Sequence, residues 1–251
     1  MIFNTSGGGK SSGKYVWKKF EANPNYQQNL LNYWAGNEIP SDATNTGTTI
    51  NDGSFYFDKS SWLTVPCSLS KSSNFTFELF VHYISYGNND GTWWCTPFTI
   101  STANTSDRGF YIHNQSSATK LCYNSNEYSV NYLPSTGKFL HVAYVKSGKT
   151  LYLFFDGKIV ATGNPGNVFN YNISSISLGA LVTNGTAGDN ARFYGYIKDV
   201  GFHNVALWTS DFDISSNPKM TGSFVDYVVG DDVTEYPDKG IHTDGFYYEL
   251  Y

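Results

Sequence analysis

Residues 138–162, KFLHVAYVKSGKTLYLFFDGKIVAT, decide the fold of this chain. They contain three apolar runs, at 139–145, 151–155 and 159–161, which are separated by Ser147-Gly148-Lys149 and by Asp156-Gly157. Asp-Gly between apolar runs is a hairpin signal, because a type I′ turn needs positive φ at both central positions. The stretch therefore predicts a meander of three antiparallel strands.

Both faces of this predicted meander carry apolar side chains. Leu151, Leu153 and Phe155 share one face of the middle strand, while Tyr152 and Phe154 share the other. One face must then pack on a second sheet, and the other must be at least partly covered. This is the pattern of the centre of a β-sandwich.

Short strand-like runs continue on both sides of the meander. The run 75–83 alternates, with Phe75, Phe77, Leu79 and Val81 on a buried face and Thr76, Glu78 and His82 on a wetter one. Aromatic residues make up 18% of the chain and charged residues only 15%, which suits pleated sheets joined by turns. The sequence predicts an all-β fold: a two-sheet antiparallel β-sandwich, or jelly roll.

Strand-like runs also occur near both ends of the chain. Residues 1–50 form an N-terminal segment with a flexible start, a strand at 14–20 and a brief helix at 25–34. The jelly roll is expected at 51–214. Residues 215–251 contain two strand-like runs around an acidic loop; a resemblance given below joins them with the 14–20 strand in one terminal module.

Charge and hydropathy exclude several classes of partner. A net charge of −5 with scattered Lys and Arg argues against a nucleic-acid partner. No apolar run approaches the roughly 20 residues that span a bilayer, so membrane insertion is not expected. The first residues lack the apolar segment of a signal peptide, which predicts synthesis in the cytoplasm and, if the chain acts outside the cell, exit by a route other than cleaved secretion. The odd cysteine count favours free thiols at Cys67, Cys95 and Cys122; one disulfide plus one thiol is the alternative.

An ordered series of motifs resembles the laminin-G-like, concanavalin-A-like jelly-roll family over about residues 52–213. The series consists of Leu140-His141-Val142-Ala143, Leu151-Tyr152-Leu153, Asp156-Gly157-Lys158, Ile176-Ser177-Leu178-Gly179 and the run 193–200 closing at 204–207, with a first strand pair at 54–65. The resemblance implies a jelly roll and a packed, hydrogen-bonded role for His141. It implies less about function, because the fold hosts lectins, glycanases, adhesion modules and virion parts.

A second resemblance joins the two ends of the chain. Residues 13–20 and 224–249 are similar to two halves of a short module of tail-associated proteins from bacteriophages and prophages, here split by the jelly roll. Insertion at a loop is tolerable where chain ends lie close together. The resemblance implies a virion protein made in a bacterial host, with other virion proteins as partners and homo-oligomerisation on a symmetric particle.

The residue patterns of catalysis were not found in the sequence. A glycanase needs two carboxylates about 5–5.5 Å apart for retention, and Glu78 has no acidic partner at the second or fifth following position. It is expected to be a solvated or hydrogen-bonded residue. No G-x-S-x-G motif occurs, and the histidines lack metal-ligand spacing. The chain is therefore predicted not to be an enzyme.

The segment 86–94 is the predicted sugar-binding site. Tyr86, Asn88, Asp90, Trp93 and Trp94 combine aromatic rings, which stack on sugar faces, with an amide and a carboxylate that bond hydroxyls. The alternative is that one or both indoles plug the sandwich edge. Strand alternation turns Trp93 and Trp94 to opposite faces, so at most one is expected to be free.

Calcium is the one cofactor to consider. The candidates are Asp90 in a loop at 86–92, and Asp189 and Asn190 in a loop at 183–190. Calcium takes 6–8 oxygen ligands, several of them carboxylates, and each loop offers a single one. Ordinary turn chemistry is therefore the default, and no cofactor is expected.

These observations predict a non-catalytic virion protein of a phage or prophage, associated with the tail or fibre. Its jelly roll would recognise a host-surface glycan. Two alternatives stay open: a virion structural or decoration protein whose jelly roll contacts only protein, and a glycan hydrolase, which the carboxylate argument disfavours.

Overall fold

The computed structural model describes residues 15–21, 29–86, 94–104, 108–115, 118–124, 126–130, 132–165, 169, 171–183, 186–214, 223–228, 239–241 and 246–250. At 15–21, 115, 189–190 and from 223 onward it describes the backbone alone. The chain divides into two compact units. One combines Met1–Gln28 with Ser215–Tyr251, and the other is Asn29–Ile214.

The meander forms as predicted. Its strands are β12 (Phe139–Ser147), β13 (Thr150–Phe155) and β14 (Lys158–Gly163), paired antiparallel. Asp156 and Gly157 have φ values of 46° and 75°, the positive pair that the Asp-Gly turn requires. Leu151, Leu153 and Phe155 face the main core.

The meander is one side of an eight-stranded sheet. Its other strands are β2 (Leu30–Trp34), β4 (Thr49–Asn51), β5 (Ser54–Asp58), β7 (Phe75–Tyr83) and β18 (Tyr194–His203). The order is β14-β13-β12-β7-β18-β5-β4, and β2 also pairs with β18. One edge of β18 therefore pairs first with β5 and then, beyond a bulge, with β2.

A seven-stranded sheet packs against the first. Its strands are β3 (Thr44–Thr46), β6 (Trp62–Leu69), β8 (Phe98–Thr102), β9 (Phe110–Gln115), β10 (Ala118–Tyr123), β11 (Asn126–Val130) and β15 (Ile173–Leu178), in the order β11-β10-β9-β8-β15-β6-β3. The two inner faces share one core that is rich in aromatic rings, among them Phe55, Phe75, Phe77, Phe98, Phe110, Tyr144 and Phe202. This is the predicted antiparallel β-sandwich.

Further segments cover parts of the outer faces. Residues 204–214 lie on the eight-stranded sheet, where Ala206, Trp208 and Phe212 pack on Ala143, Val145 and Phe154. A hairpin of β16 (Ala180–Thr183) and β17 (Thr186–Arg192) contributes to two apolar clusters on the other sheet. The outer faces are thus partly buried, as the apolar residues on both sides of the meander require.

The terminal unit is a four-stranded sheet. It contains β1 (Tyr15–Glu21), β19 (Ser223–Val228), β20 (Lys239–Ile241) and β21 (Phe246–Leu250), in the order β19-β1-β21-β20. The N-terminal strand thus lies between two C-terminal ones and pairs antiparallel with both. This is the predicted β unit built from both ends of the chain.

Three local predictions differ from the structure. The segment predicted as a helix at 25–34 contains strand β2, because its residues complete the edge of β18. The sandwich unit begins at Asn29 rather than at residue 51, since β2 and β3 belong to its sheets. The loop predicted at 183–190 is largely strand β17. Among the described residues no helix has the length and apolar character to cross a membrane.

Candidate functional site

The sequence-predicted sugar site is described only at its ends. Asn88, Asp90 and Trp93 lie outside the described residues, whereas Tyr86 and Trp94 are both half-buried. The Tyr86 hydroxyl donates a hydrogen bond to the Pro134 carbonyl, and its ring lies 4.9 Å from that of Tyr83. Tyr86 is therefore engaged in packing, and the site as a whole stays a prediction.

Trp94 packs on the outer face of the seven-stranded sheet. Its ring centroid lies 4.7 Å from that of His113, and it contacts a cluster of Tyr111, Cys122, Leu181 and Ala191. Trp94 is therefore engaged in packing on this face. The calcium candidates Asp189 and Asn190 lie in β17, where only the backbone is described, and Asp90 lies outside the described residues.

Glu78 lies between two histidines that are far apart in sequence. His141 Nε2 is 2.9 Å from Glu78 Oε2, and His203 Nε2 is 3.2 Å from Oε1. All three residues are buried, with Glu78 only 3% exposed. Trp208 and Phe212 cover the His141 ring at 6.1 and 5.9 Å between centroids. The hydrogen-bonded role expected for Glu78 and His141 is therefore found, but the solvated alternative for Glu78 is wrong.

This burial bears on the chemistry that Glu78 can perform. A carboxylate that protonates or attacks a glycosidic bond must touch the sugar. Glu78 is closed off from solvent, and both of its oxygens are at hydrogen-bond distance from imidazole nitrogens. Glu78 is therefore not exposed to a ligand in solution.

The uncovered half of the same sheet face carries five neighbouring rings, which we call the aromatic row: Tyr194, Tyr56, Tyr196, His82 and Phe139. Three of its contacts follow directly from strand register, since Tyr196 is opposite both Tyr56 and His82, and His82 is opposite Phe139. Side chains directly opposite on antiparallel strands lie within contact distance. The row therefore crosses β5, β18, β7 and β12 without a gap.

Ring distances confirm that the row is continuous. Successive centroids lie 6.4 Å apart for Tyr194 and Tyr56, 5.2 Å for Tyr56 and Tyr196, and 5.4 Å for both Tyr196–His82 and His82–Phe139. Adjacent rings are tilted by 38° to 70°, which gives a corrugated surface. Three strand spacings make its span about 14 Å.

The aromatic row is open to solvent and has a cation at each end. Phe139 is 36% exposed and the other four rings are half-buried. Lys198 Nζ lies 4.6 Å from the Phe139 centroid, and Lys59 Nζ lies 5.2 Å from that of Tyr194. Partial burial, and then a hydrogen bond with Tyr194, raises the pKa of Tyr56. The Tyr56 hydroxyl thus stays neutral and able to donate or accept hydrogen bonds.

The sequence analysis missed this row because its members come from four separate runs. The alternation in 75–83 correctly turned His82 to the wetter face, but the sequence does not state which strand lies beside β7. The available signal is weak. It consists of Tyr56, Tyr194, Tyr196 and Phe139 at outward positions of strands whose alternate residues are apolar.

Comparison with known proteins agrees with this architecture. A family model described as the concanavalin A-like lectin/glucanases superfamily matches residues 57–211. The chain belongs to this superfamily. The resemblance to laminin-G-like and concanavalin-A-like jelly rolls is confirmed, and the name of the superfamily covers both lectins and glucanases. A search of curated proteins found no match.

Solved structures share the fold at low identity. A mutant of Trypanosoma rangeli sialidase displaying trans-sialidase activity has a TM-score of 0.59 at 11% identity, covering 72% of this chain and 32% of its own. A structure of botulinum neurotoxin type C, whose cell entry depends on two ganglioside molecules, has 0.54 at 14%, covering 74% and 50%. The binding domain of Paraclostridial Mosquitocidal Protein 1 has 0.52 at 13%, covering 73% and 50%. The chain thus spans a third to a half of these proteins' length, and the likeness is one of fold.

Proposed function

We propose that the Asn29–Ile214 unit binds a glycan on the aromatic row without cleaving it, as the recognition domain of a tail- or fibre-associated protein of a phage or prophage. The glycan-binding part of the proposal is supported by the aromatic row, which is an open aromatic surface on a lectin/glucanase-type sandwich. Rings supply faces for the apolar sides of sugars, and hydroxyls and an imidazole at the same surface can bond to sugar hydroxyls.

Other ligands that stack on aromatic rows fit less well. Single-stranded nucleic acid also stacks on exposed rings, but it requires a positively charged groove. This chain has a net charge of −5. A ganglioside-binding toxin and a sialidase with the same fold support a sugar as the occupant. A span of about 14 Å, from three strand spacings, suits an oligosaccharide better than a single ring.

The non-catalytic half of the proposal rests on the carboxylates. Hydrolysis of a glycosidic bond uses two carboxyl groups on opposite sides of the bond. Glu78 lies on this sheet face, and it is buried between two imidazoles. The virion half rests on the similarity of the split terminal sheet to modules of phage tail-associated proteins.

A glycan array followed by titration calorimetry tests the binding. Tyr196 lies at the centre of the row, in contact with both Tyr56 and His82, so Tyr196→Ala should weaken binding of the array hit about fivefold to tenfold. Tyr171→Ala is the matched control, because Tyr171 is 42% exposed and lies outside the row. It should bind as the unaltered protein does.

Three further arms separate the parts of the proposal. If Trp93→Ala abolishes binding and Tyr196→Ala does not, the site is the 86–94 segment and the row is excluded. Release of reducing sugar from the bound glycan would show an enzyme. Mass spectrometry of purified particles tests the virion assignment: absence of the chain from particles would remove that half and leave glycan binding standing.

A further inference from the structure

The imidazole of His113, outside the aromatic row, is buried without a hydrogen-bond partner among the described residues. His113, in β9, is 1% exposed, and neither of its ring nitrogens has a hydrogen-bond partner among the described residues. A buried polar group without a hydrogen-bond partner costs free energy of desolvation, so such a group calls for an explanation, of which a bound ion is one. Here the neighbours of His113 suggest the cause.

Two further metal-ligating side chains lie beside His113. In the strand register Cys122 of β10 is opposite Tyr111 on one side and Glu127 of β11 on the other. Tyr111 and His113 are two residues apart on the same face of β9, which brings His113 into the same cluster. One ligand atom from each of His113, Cys122 and Glu127 lies within 4.8 Å of the other two.

We propose that His113, Cys122 and Glu127 form a binding site for a borderline-soft divalent transition-metal ion such as Zn²⁺. Imidazole nitrogen, thiolate sulfur and carboxylate oxygen are the ligands that Zn²⁺ takes, and three protein ligands leave a fourth position for water or another donor. A thiolate and an imidazole in the set favour Zn²⁺ over Ca²⁺ or Mg²⁺, which require oxygen.

The surroundings determine the access to the site and its charge. His113 and Cys122 are buried, with Trp94 packed against His113, whereas Glu127 is exposed, so an ion would enter from the Glu127 side. Burial, and then the charges of Lys120 and Arg108, lowers the pKa of His113 to about 4. The two cations oppose a dication, and the Glu127 carboxylate offsets part of their charge. A bound ion would take Cys122 as the thiolate, displacing the thiol proton to solvent.

Cobalt spectroscopy provides the test, because a thiolate ligand gives Co²⁺ a charge-transfer band in the near ultraviolet. The full chain, stripped with a chelator, should bind one Co²⁺ that Zn²⁺ displaces, and Zn²⁺ should raise its Tm. Cys122→Ser should abolish the band. Glu127→Gln, at an exposed position, should preserve the fold and weaken Zn²⁺ binding at least tenfold.

Cys67→Ser is the matched control for the thiol. Cys67 is a half-buried free cysteine on β6 that packs against the main core, so its loss should leave the band and the Zn²⁺ affinity unchanged. The proposal is overturned if no thiolate band appears in the unaltered protein, if the band persists in Cys122→Ser, or if Cys67→Ser removes it.

Discussion

Glu78 is a carboxylate that the fold places where water does not reach. Its two oxygens lie 2.9 and 3.2 Å from the Nε2 atoms of His141 and His203. Gly201, across the strand pair, leaves the space for this group, since a Cβ there would lie 3.0 Å from His203 Nε2 and 3.2 Å from Glu78 Oε1. A buried charge that loses its partner is costly, so the three side chains are expected to depend on one another.

Glu78→Ala should lower the free energy of unfolding by about 3 kcal/mol, because it leaves two buried imidazoles without their acceptor. Urea denaturation followed by tryptophan fluorescence measures the loss. Glu38→Ala is the control: Glu38 is exposed, and its removal should change stability by less than about 0.5 kcal/mol. A loss below about 1 kcal/mol in Glu78→Ala would contradict a structural role for the group.

Alternation in the sequence placed Glu78 correctly on the side of β7 away from the main core. It did not indicate burial, because the residues that cover this side, Trp208 and Phe212, follow much later in the chain. The same limit applies to His113, Cys122 and Glu127. The sequence contains their identities, but only strand pairing brings the three together.

At the scale of elements, the segment 204–214 closes half of the outer face of the eight-stranded sheet. The Trp208 and Phe212 rings stack at 4.0 Å with an angle of 9°, and the Phe212 ring lies 5.4 Å from that of Phe154. The Phe212 amide donates to the Gly157 carbonyl at 2.8 Å, which fixes the segment to the turn between β13 and β14. The Asp156-Gly157 turn therefore both connects β13 to β14 and fixes the covering segment 204–214.

Gly157→Ala should release this cover. A Cβ at Gly157 would lie 2.1 Å from the Phe212 carbonyl oxygen, so the segment must move. Gly148→Ala is a close control, because Gly148 has a similar φ of 58° but nothing within 4 Å of the added Cβ. Gly148→Ala should cost about 1 kcal/mol for its backbone alone, and Gly157→Ala about 2 kcal/mol more.

Chemical denaturation of the two variants measures the difference, and amide hydrogen exchange at 204–214 locates it. Faster exchange in that segment for Gly157→Ala alone is the expected result. Equal stability losses in the two variants would mean that the segment does not depend on the turn for its position.

The meander could be predicted because its information is local. Apolar alternation and an Asp-Gly turn lie within 25 residues of chain, and the structure places both as expected. The aromatic row depends on β18 lying between β5 and β7, a pairing of runs distant in sequence. No local pattern indicates that strand order. The aromatic row, which is the surface proposed to bind the glycan, therefore could not be predicted from the sequence.

At the scale of the whole molecule, the segment that forms the sandwich lies in the sequence between the two segments that form the small terminal sheet. Strand β1 pairs with β19 and β21, so the terminal unit needs both ends of the chain, whereas the contacts of the sandwich core lie within Asn29–Ile214. A unit that contains its own core and sheet partners is expected to fold by itself. This unit begins at Asn29 in the structure, whereas the sequence predicted its start at residue 51.

Two shortened chains distinguish the boundaries. Residues 29–214 should unfold in a single cooperative transition, because they keep β2 and β3. Residues 51–214 should be less stable by several kcal/mol or should aggregate. They lose Trp34, Ile39 and Ala43, which pack on the core, and they leave one edge of β18 from Val200 to His203 without a partner. Unpaired strand edges are templates for association.

Differential scanning calorimetry and light scattering compare the two shortened chains. If 51–214 melts as cooperatively as 29–214 and stays monomeric, β2 is an accessory strand and the sequence-based boundary is adequate. The opposite result would show that the sandwich needs β2 to complete its sheet.

The hydrogen bond that the Tyr33 hydroxyl donates to Asp199 Oδ1, at 2.6 Å, tests a single contact of β2. Tyr33→Phe within 29–214 should retain the fold and lower the free energy of unfolding by about 1 kcal/mol, since it removes one exposed hydrogen bond and leaves the strand pairing intact.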